Sequence, residues 1–216
     1  MKCENCNEAV YFPYCHCPNA YEEEKMLNND KFIFETEVRT NIKRDGIDEL
    51  LSFLNITDFF EAPASTKYHG AIEHGLVKHS LAVYNNFWKV APIFGFTHTK
   101  ENDESAAIVC LFHDICKINY YKKSYKNVKN EDTGKWERVS CYTTDEQLPF
   151  GAHGAKSMFL VSKFIKLYDD EAMAILHHMG AWDKGNYSDP GKAYSYSTLA
   201  WLLHVADEAA TYIDEE

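Results

Sequence analysis

Two carboxylates in this chain sit where an apolar core does not accept them alone. Asp114 follows His113 at the end of the run AAIVCLFHD, and Asp207 interrupts TLAWLLHVADEAATYI one turn beyond His204. His79, in HGLVKHSLAV, shares a helical face with Leu76 and Val83. An ionised carboxylate inside a buried helix costs several kcal/mol unless a cation or a set of donors compensates it. Two such acids and several imidazoles in one chain point to a shared cation. A separate group, Cys3, Cys6, Cys15 and Cys17, follows the pattern Cys-x2-Cys-x8-Cys-x-Cys. Four thiolates are the complement of a closed tetrahedral zinc site, with His16 able to replace one sulfur. Such a site would be structural, and it is expected over residues 1–20.

The elements that must carry these residues are mostly helices. The polar, acid-rich stretch NAYEEEKMLNNDKF reads as a linker or short helix within 21–44, and the helical domain is expected from residue 45 to 216. In DGIDELLSFLNI, Ile47, Leu50, Leu51 and Leu54 recur at spacings of three and four, which marks one buried face. The spacing of Leu76, Val83, Phe87 and Val90 predicts a helix from about Gly75 to about Val90, ended by Pro92. Asn102 or Asp103 is the expected cap of the next helix, ESAAIVCLFHDI, which is apolar nearly all round and so central. Residues 119–144 break the rhythm: YYKKSYKNVKNEDTGKWERVSCYTT reads as a β-hairpin around the polar NEDTGK. Helices are expected again near 153–168, 170–178 and 197–213, with Gly180 closing the second and SDPG forming a turn.

Composition narrows the function. The 216 residues are 45% apolar and 25% charged, enough for one real core and no sign of disorder. A net charge of -11 argues against a protein whose main task is to coat nucleic acid, because phosphate neutralisation needs a basic surface. No apolar run approaches the roughly 20 residues a bilayer crossing needs, and MKCENCNEAVYF lacks a signal peptide's apolar core, so a cytoplasmic protein without a membrane partner is expected.

The order His79, His113-Asp114, His153 in GAHGAKSM, His177-His178 in AILHHMG, and Asp207 resembles the HD-domain superfamily of metal-dependent phosphohydrolases. The likeness runs from about residue 66 to 213. It implies an all-α HD-domain bundle, here with a β-hairpin insertion and a small Cys-rich N-terminal segment. It also implies His79, His113, Asp114 and Asp207 as metal ligands. His153 and one of the paired histidines match the further ligands of binuclear members, in which the HD aspartate bridges both ions. Similarity favours His177, while His178 stays open because adjacent helical residues point about 100° apart. One or two divalent ions are implied, with Mn, Fe, Co, Ni or Mg as candidates, and imidazole-rich ligation favours a transition metal.

The chain has HDICK where many members have HDIGK, so Cys116 replaces a glycine and Lys117 is retained. In the family that lysine often approaches the substrate phosphate. YHGAIEHGLVKHS resembles the approach segment of HD-domain exoribonucleases and phosphodiesterases, which implies His69 and His74 at the mouth of the site. The expected activity is hydrolysis of a nucleotide or phosphodiester by metal-activated water, with Asp114, Lys117, His74 and His69 as catalytic residues. The partner would be a phosphorylated small molecule or a short oligonucleotide, steered by the lysine-rich hairpin. Two rivals are a di-iron oxygenase on the same ligands and an inert HD-fold binding protein with a zinc-clasped tail.

Overall fold

The computed structural model describes residues 18–66, 70–131, 133–182 and 189–214, with side chains from residue 29 onward. The four N-terminal cysteines and His69 lie outside these residues, so the zinc segment and one catalytic expectation find no geometry here. Eight helices and one hairpin make up the described chain: α1 (Pro18–Asn41), α2 (Ile47–Asn55), α3 (Gly75–Val90), α4 (Lys100–Phe112), β1 (Tyr121–Lys129), β2 (Trp136–Thr144), α5 (His153–Ser162), α6 (Asp169–His177), α7 (Pro190–Tyr196) and α8 (Thr198–Ala209). No helix among the described residues is long and apolar enough to cross a membrane.

Most of the stretch 21–44, read from the sequence as a linker or short helix, lies within the 24-residue α1. Phe34 and Val38 lie one turn apart on it, Ile42 follows just past its end, and all three are buried, so α1 packs on α4 and α3 as part of the same core. Phe34 meets Phe59, Phe60 and Phe112 with ring centroids 5.1 to 5.9 Å apart. The cap of α4 is Thr99, whose hydroxyl accepts from the Asn102 N–H, one turn earlier than either expected cap. Within SDPG, expected as a turn, Asp189 and Pro190 start a helix. Asp189 accepts from the N–H groups of Gly191 and Lys192, and Pro190 occupies the first helical position, where its missing N–H costs nothing.

α4 is the central helix. Every residue from Ala106 to Phe112 is buried, and α1, α3, α6 and α8 surround it. Across its N-terminal half a buried polar knot ties three elements together. Glu171, fully buried at the start of α6, accepts from Arg44, from the Ser105 hydroxyl and from the Tyr168 N–H, while Arg44 also pairs with Glu104. α5 lies on α6 at very short range: a Cβ on Gly154 would stand 2.2 Å from the Leu176 carbonyl oxygen and 2.7 Å from that of Ile175. Only a residue without a side chain permits that approach. The hairpin pairs in register from Tyr121↔Thr144 to Lys129↔Trp136.

Candidate metal centre

The C-terminal end of α4 delivers His113 and Asp114, the middle of α3 delivers His79, and α8 delivers Asp207. The start of α5 brings His153 and the end of α6 brings His178. All but His153 are buried; its side chain is 28% exposed. His79 Nε2 lies 3.0 Å from Asp207 Oδ1 and 3.3 Å from His113 Nε2. Asp114 faces two ways. Its Oδ2 is 3.4 Å from His113 Nε2 and 3.7 Å from His79 Nε2, and its Oδ1 is 2.7 Å from His153 Nε2 and 3.5 Å from His178 Nε2. Three overlapping groups have donor atoms close enough to hold an ion: His79, His113 and Asp114; His113, His178 and Asp207; and Asp114, His153 and His178.

The chemistry of these donors fits a cation. His113 Nδ1 donates to the Cys110 carbonyl and His178 Nδ1 to the Ile175 carbonyl, which leaves both Nε2 lone pairs facing the centre. Burial lowers the His113 pKa despite two neighbouring carboxylates, which favours the neutral ring that a metal ligand presents. His178 Nε2 is buried with no hydrogen-bond partner, a costly arrangement in the absence of an ion. Metal bonds of about 2.1 Å at octahedral to tetrahedral angles put neighbouring donors roughly 3.0–3.4 Å apart, and most of the distances above lie close to that range.

A lysine and several imidazoles surround the aspartates. Lys117 Nζ is 2.6 Å from Asp114 Oδ2. Burial works against both charges, but each stabilises the other: Asp114 is held well below the usual carboxylate range by Lys117, His113 and His153, and Lys117 is raised by Asp114. Asp207 is lowered in the same way, against burial, by His79 and His113. His153 is raised to about 10, burial opposing and Cys116 with Asp114 prevailing.

Of the paired histidines, His178 stands in two of the three candidate groups. The two differ by one helical step, and the step that places His178 at Asp114 carries His177 round the helix; it belongs to none of the three groups. His74 Nδ1 is 2.8 Å from the Phe60 carbonyl, at the left-handed residue that opens α3. Cys116 is not a bystander, since its Sγ lies 3.3 Å from His153 Nδ1 and its N–H donates to Ser157. Three contacts were beyond sequence reasoning. His204 Nδ1 is 2.6 Å from the His178 carbonyl, Tyr194 stacks on His204, and the Tyr194 hydroxyl donates to the His177 carbonyl. Together they brace the end of α6, and only the odd polarity of His204 in an apolar helix hinted at it.

The sequence pattern of the HD domain family matches residues 76–212. The chain belongs to the HD domain family. No curated protein and no solved structure matches it. The HD domain begins with the helix that carries His79 and runs through the one that carries Asp207, so all six clustered residues fall inside it. HD domains are largely metal-dependent phosphohydrolases that bind divalent ions, and this one brings together His and Asp groups able to hold such an ion. Exchanging the paired histidines tests which of them holds it. His178→Ala is expected to lower the metal content per chain in elemental analysis of the purified protein, while His177→Ala keeps the wild-type value. Equal losses in both variants would return His177 to the centre.

Proposed function

We propose that this HD domain is a metal-dependent phosphohydrolase that cleaves a nucleotide or a phosphodiester, with room for two divalent ions. The observation that carries this reading is the two-sided environment of Asp114, whose oxygens face His79 and His113 on one side and His153 and His178 on the other. One divalent ion would be held by His79, His113, Asp207 and Asp114, and a second by His153, His178 and the other oxygen of Asp114. When bound, such ions supply hydroxide from water near neutral pH and neutralise charge on phosphoryl oxygens. Lys117, whose ammonium form Asp114 favours against burial, would attract a phosphate oxygen. Tyr121 is a further candidate for substrate contact. Burial raises its hydroxyl to about 12, so it keeps its proton, which it donates to the Ala64 carbonyl.

The decisive experiment is hydrolysis of bis(p-nitrophenyl) phosphate and p-nitrophenyl phosphate by protein reconstituted with Mn, Co, Ni, Fe or Mg, in air and under nitrogen. Metal-dependent release of nitrophenol under nitrogen is expected. Oxygen consumption with iron and no phosphoester turnover would transfer the site to the oxygenase reading, and inertness with every metal would leave a binding protein.

A further inference from the structure

The hairpin's register sorts its residues onto two unlike faces. In a two-stranded antiparallel ribbon, directly paired residues share a face and alternate positions return to it. From the pairing, Tyr121, Tyr125, Trp136 and Tyr142 all stand on one face. These are all the aromatic residues of the two strands. Lys123, Lys129 and Arg138 stand among them, and Asn127, Ser140 and Thr144 complete that face, so it contains no acid. The opposite face carries Lys122, Lys126 and Glu137 and no aromatic ring. The Arg138 guanidinium lies 4.3 Å from the centre of the Tyr125 ring, as the diagonal of one face requires.

This face has an inner and an outer end. At the inner end β1 starts four residues after Lys117, the Tyr121 hydroxyl donates to the Ala64 carbonyl, and Lys123 donates to Glu73. At the outer end Tyr125 is 61% and Trp136 70% exposed, in a protein of net charge -11. Large rings alternating with cations, acid-free and open to water, are what unpaired bases and their phosphates require: the rings stack on bases of any sequence and the cations follow the backbone. Nine strand residues span about 27 Å, enough for roughly four extended nucleotides.

We propose that this face of the hairpin binds single-stranded nucleic acid and leads its end to the metal centre, so that the substrate is an oligonucleotide rather than a free nucleotide. The inference rests on reading the centre as a phosphoester hydrolase. Tyr125 and Trp136 stack on bases, Lys129 and Arg138 hold phosphates, and Tyr121 marks the passage to Lys117. The acidity of the rest of the chain confines nucleic acid to this one track.

Fluorescence anisotropy with fluorescein-labelled oligothymidylate and oligouridylate of about eight nucleotides tests it, with a duplex of the same length beside them, in Mn²⁺ and again in EDTA. Both single strands are expected to bind more tightly than the duplex, and a preference between them names the sugar. Trp136→Ala should weaken binding about tenfold, from the loss of one stacked base. Neutralisation of two phosphates should give a slope of log affinity against log salt of about -1.4, falling to near zero in Lys129→Glu/Arg138→Glu. Lys126→Glu, on the other face, should change affinity less than about twofold. The inference is overturned if the duplex binds as well as the single strands, if Lys126→Glu weakens binding as much as Arg138→Glu, or if the wild type binds neither strand at low salt. A concentration-dependent dimer that Trp136→Ala disperses, without oligonucleotide binding, would assign the face to a second copy of the chain. Turnover of bis(p-nitrophenyl) phosphate, too small to reach the outer hairpin, reports on the centre alone, so the two readings can fail separately.

Discussion

Asp114→Ala should leave a folded protein that retains little metal and loses more than about 100-fold in phosphoester turnover. The expected size follows from position. Partners that merely orient a ligand cost about 10- to 100-fold in metal affinity when removed. Asp114 presents one oxygen to His79 and His113 and the other to His153 and His178, so its loss takes a donor from both sides at once. It also strands the buried Lys117 ammonium without the carboxylate 2.6 Å away. Asp114→Asn separates these effects, because an amide keeps the shape and one weak oxygen donor. Far-ultraviolet circular dichroism and elemental analysis on the same samples check the outcome. A variant with wild-type metal content and normal helicity would show that Asp114 does not hold an ion.

The largest loss of stability is expected far from the metal, at Glu171→Ala. Glu171 is completely buried and answers Arg44, Ser105 and the Tyr168 N–H, so its removal leaves several donors facing a void. Breaking a buried pair from one side costs about 3–5 kcal/mol, chiefly because the surviving charge has lost its counterpart. Glu104 still touches Arg44 and keeps the expected value near the lower end. For a chain of this size the thermal midpoint should fall by about 6–20 °C. Arg39→Ala provides the contrast. Its pair with Asp48 is exposed on both sides, at 57% and 73%, and such pairs contribute about 0–1 kcal/mol. Unfolding in urea, followed by circular dichroism, distinguishes the two. Similar midpoints for both variants would mean that the buried knot does not hold α6 to α4.

What could be read from the sequence was whatever repeats along one element. The helix carrying His79 was legible to the residue, because Leu76, Val83 and Phe87 mark its buried face and Pro92 its end. The hairpin was legible because β-branched and aromatic residues flank a polar turn. α1 was hidden by its composition: the glutamate run masks the widely spaced Phe34, Val38 and Ile42, whose burial depends on partners outside the helix. The choice between His177 and His178 was hidden for a related reason. Periodicity shows that one of two neighbours faces inward, but which one depends on how α6 is rotated against α4. The contacts of Cys116 with His153 and of His204 with the His178 carbonyl join residues 37 and 26 positions apart, and no local pattern reports such pairs.

The glycine at 154 gives the outer half of the centre an unusual independence from its surroundings. His153 precedes it on α5, and His178 follows the two carbonyls, of Ile175 and Leu176, against which it rests. Main chain therefore meets main chain between these helices, and the interval between the two imidazoles is set with no side chain as spacer. Substitutions that enlarge or shrink neighbouring core residues can be absorbed elsewhere without moving His153 relative to His178. The same arrangement leaves position 154 no latitude, since even a methyl group there acts as a wedge that drives the two ligands apart. Variation in this half of the site is thus all or nothing: insulated from drift in the core, and intolerant of one added carbon.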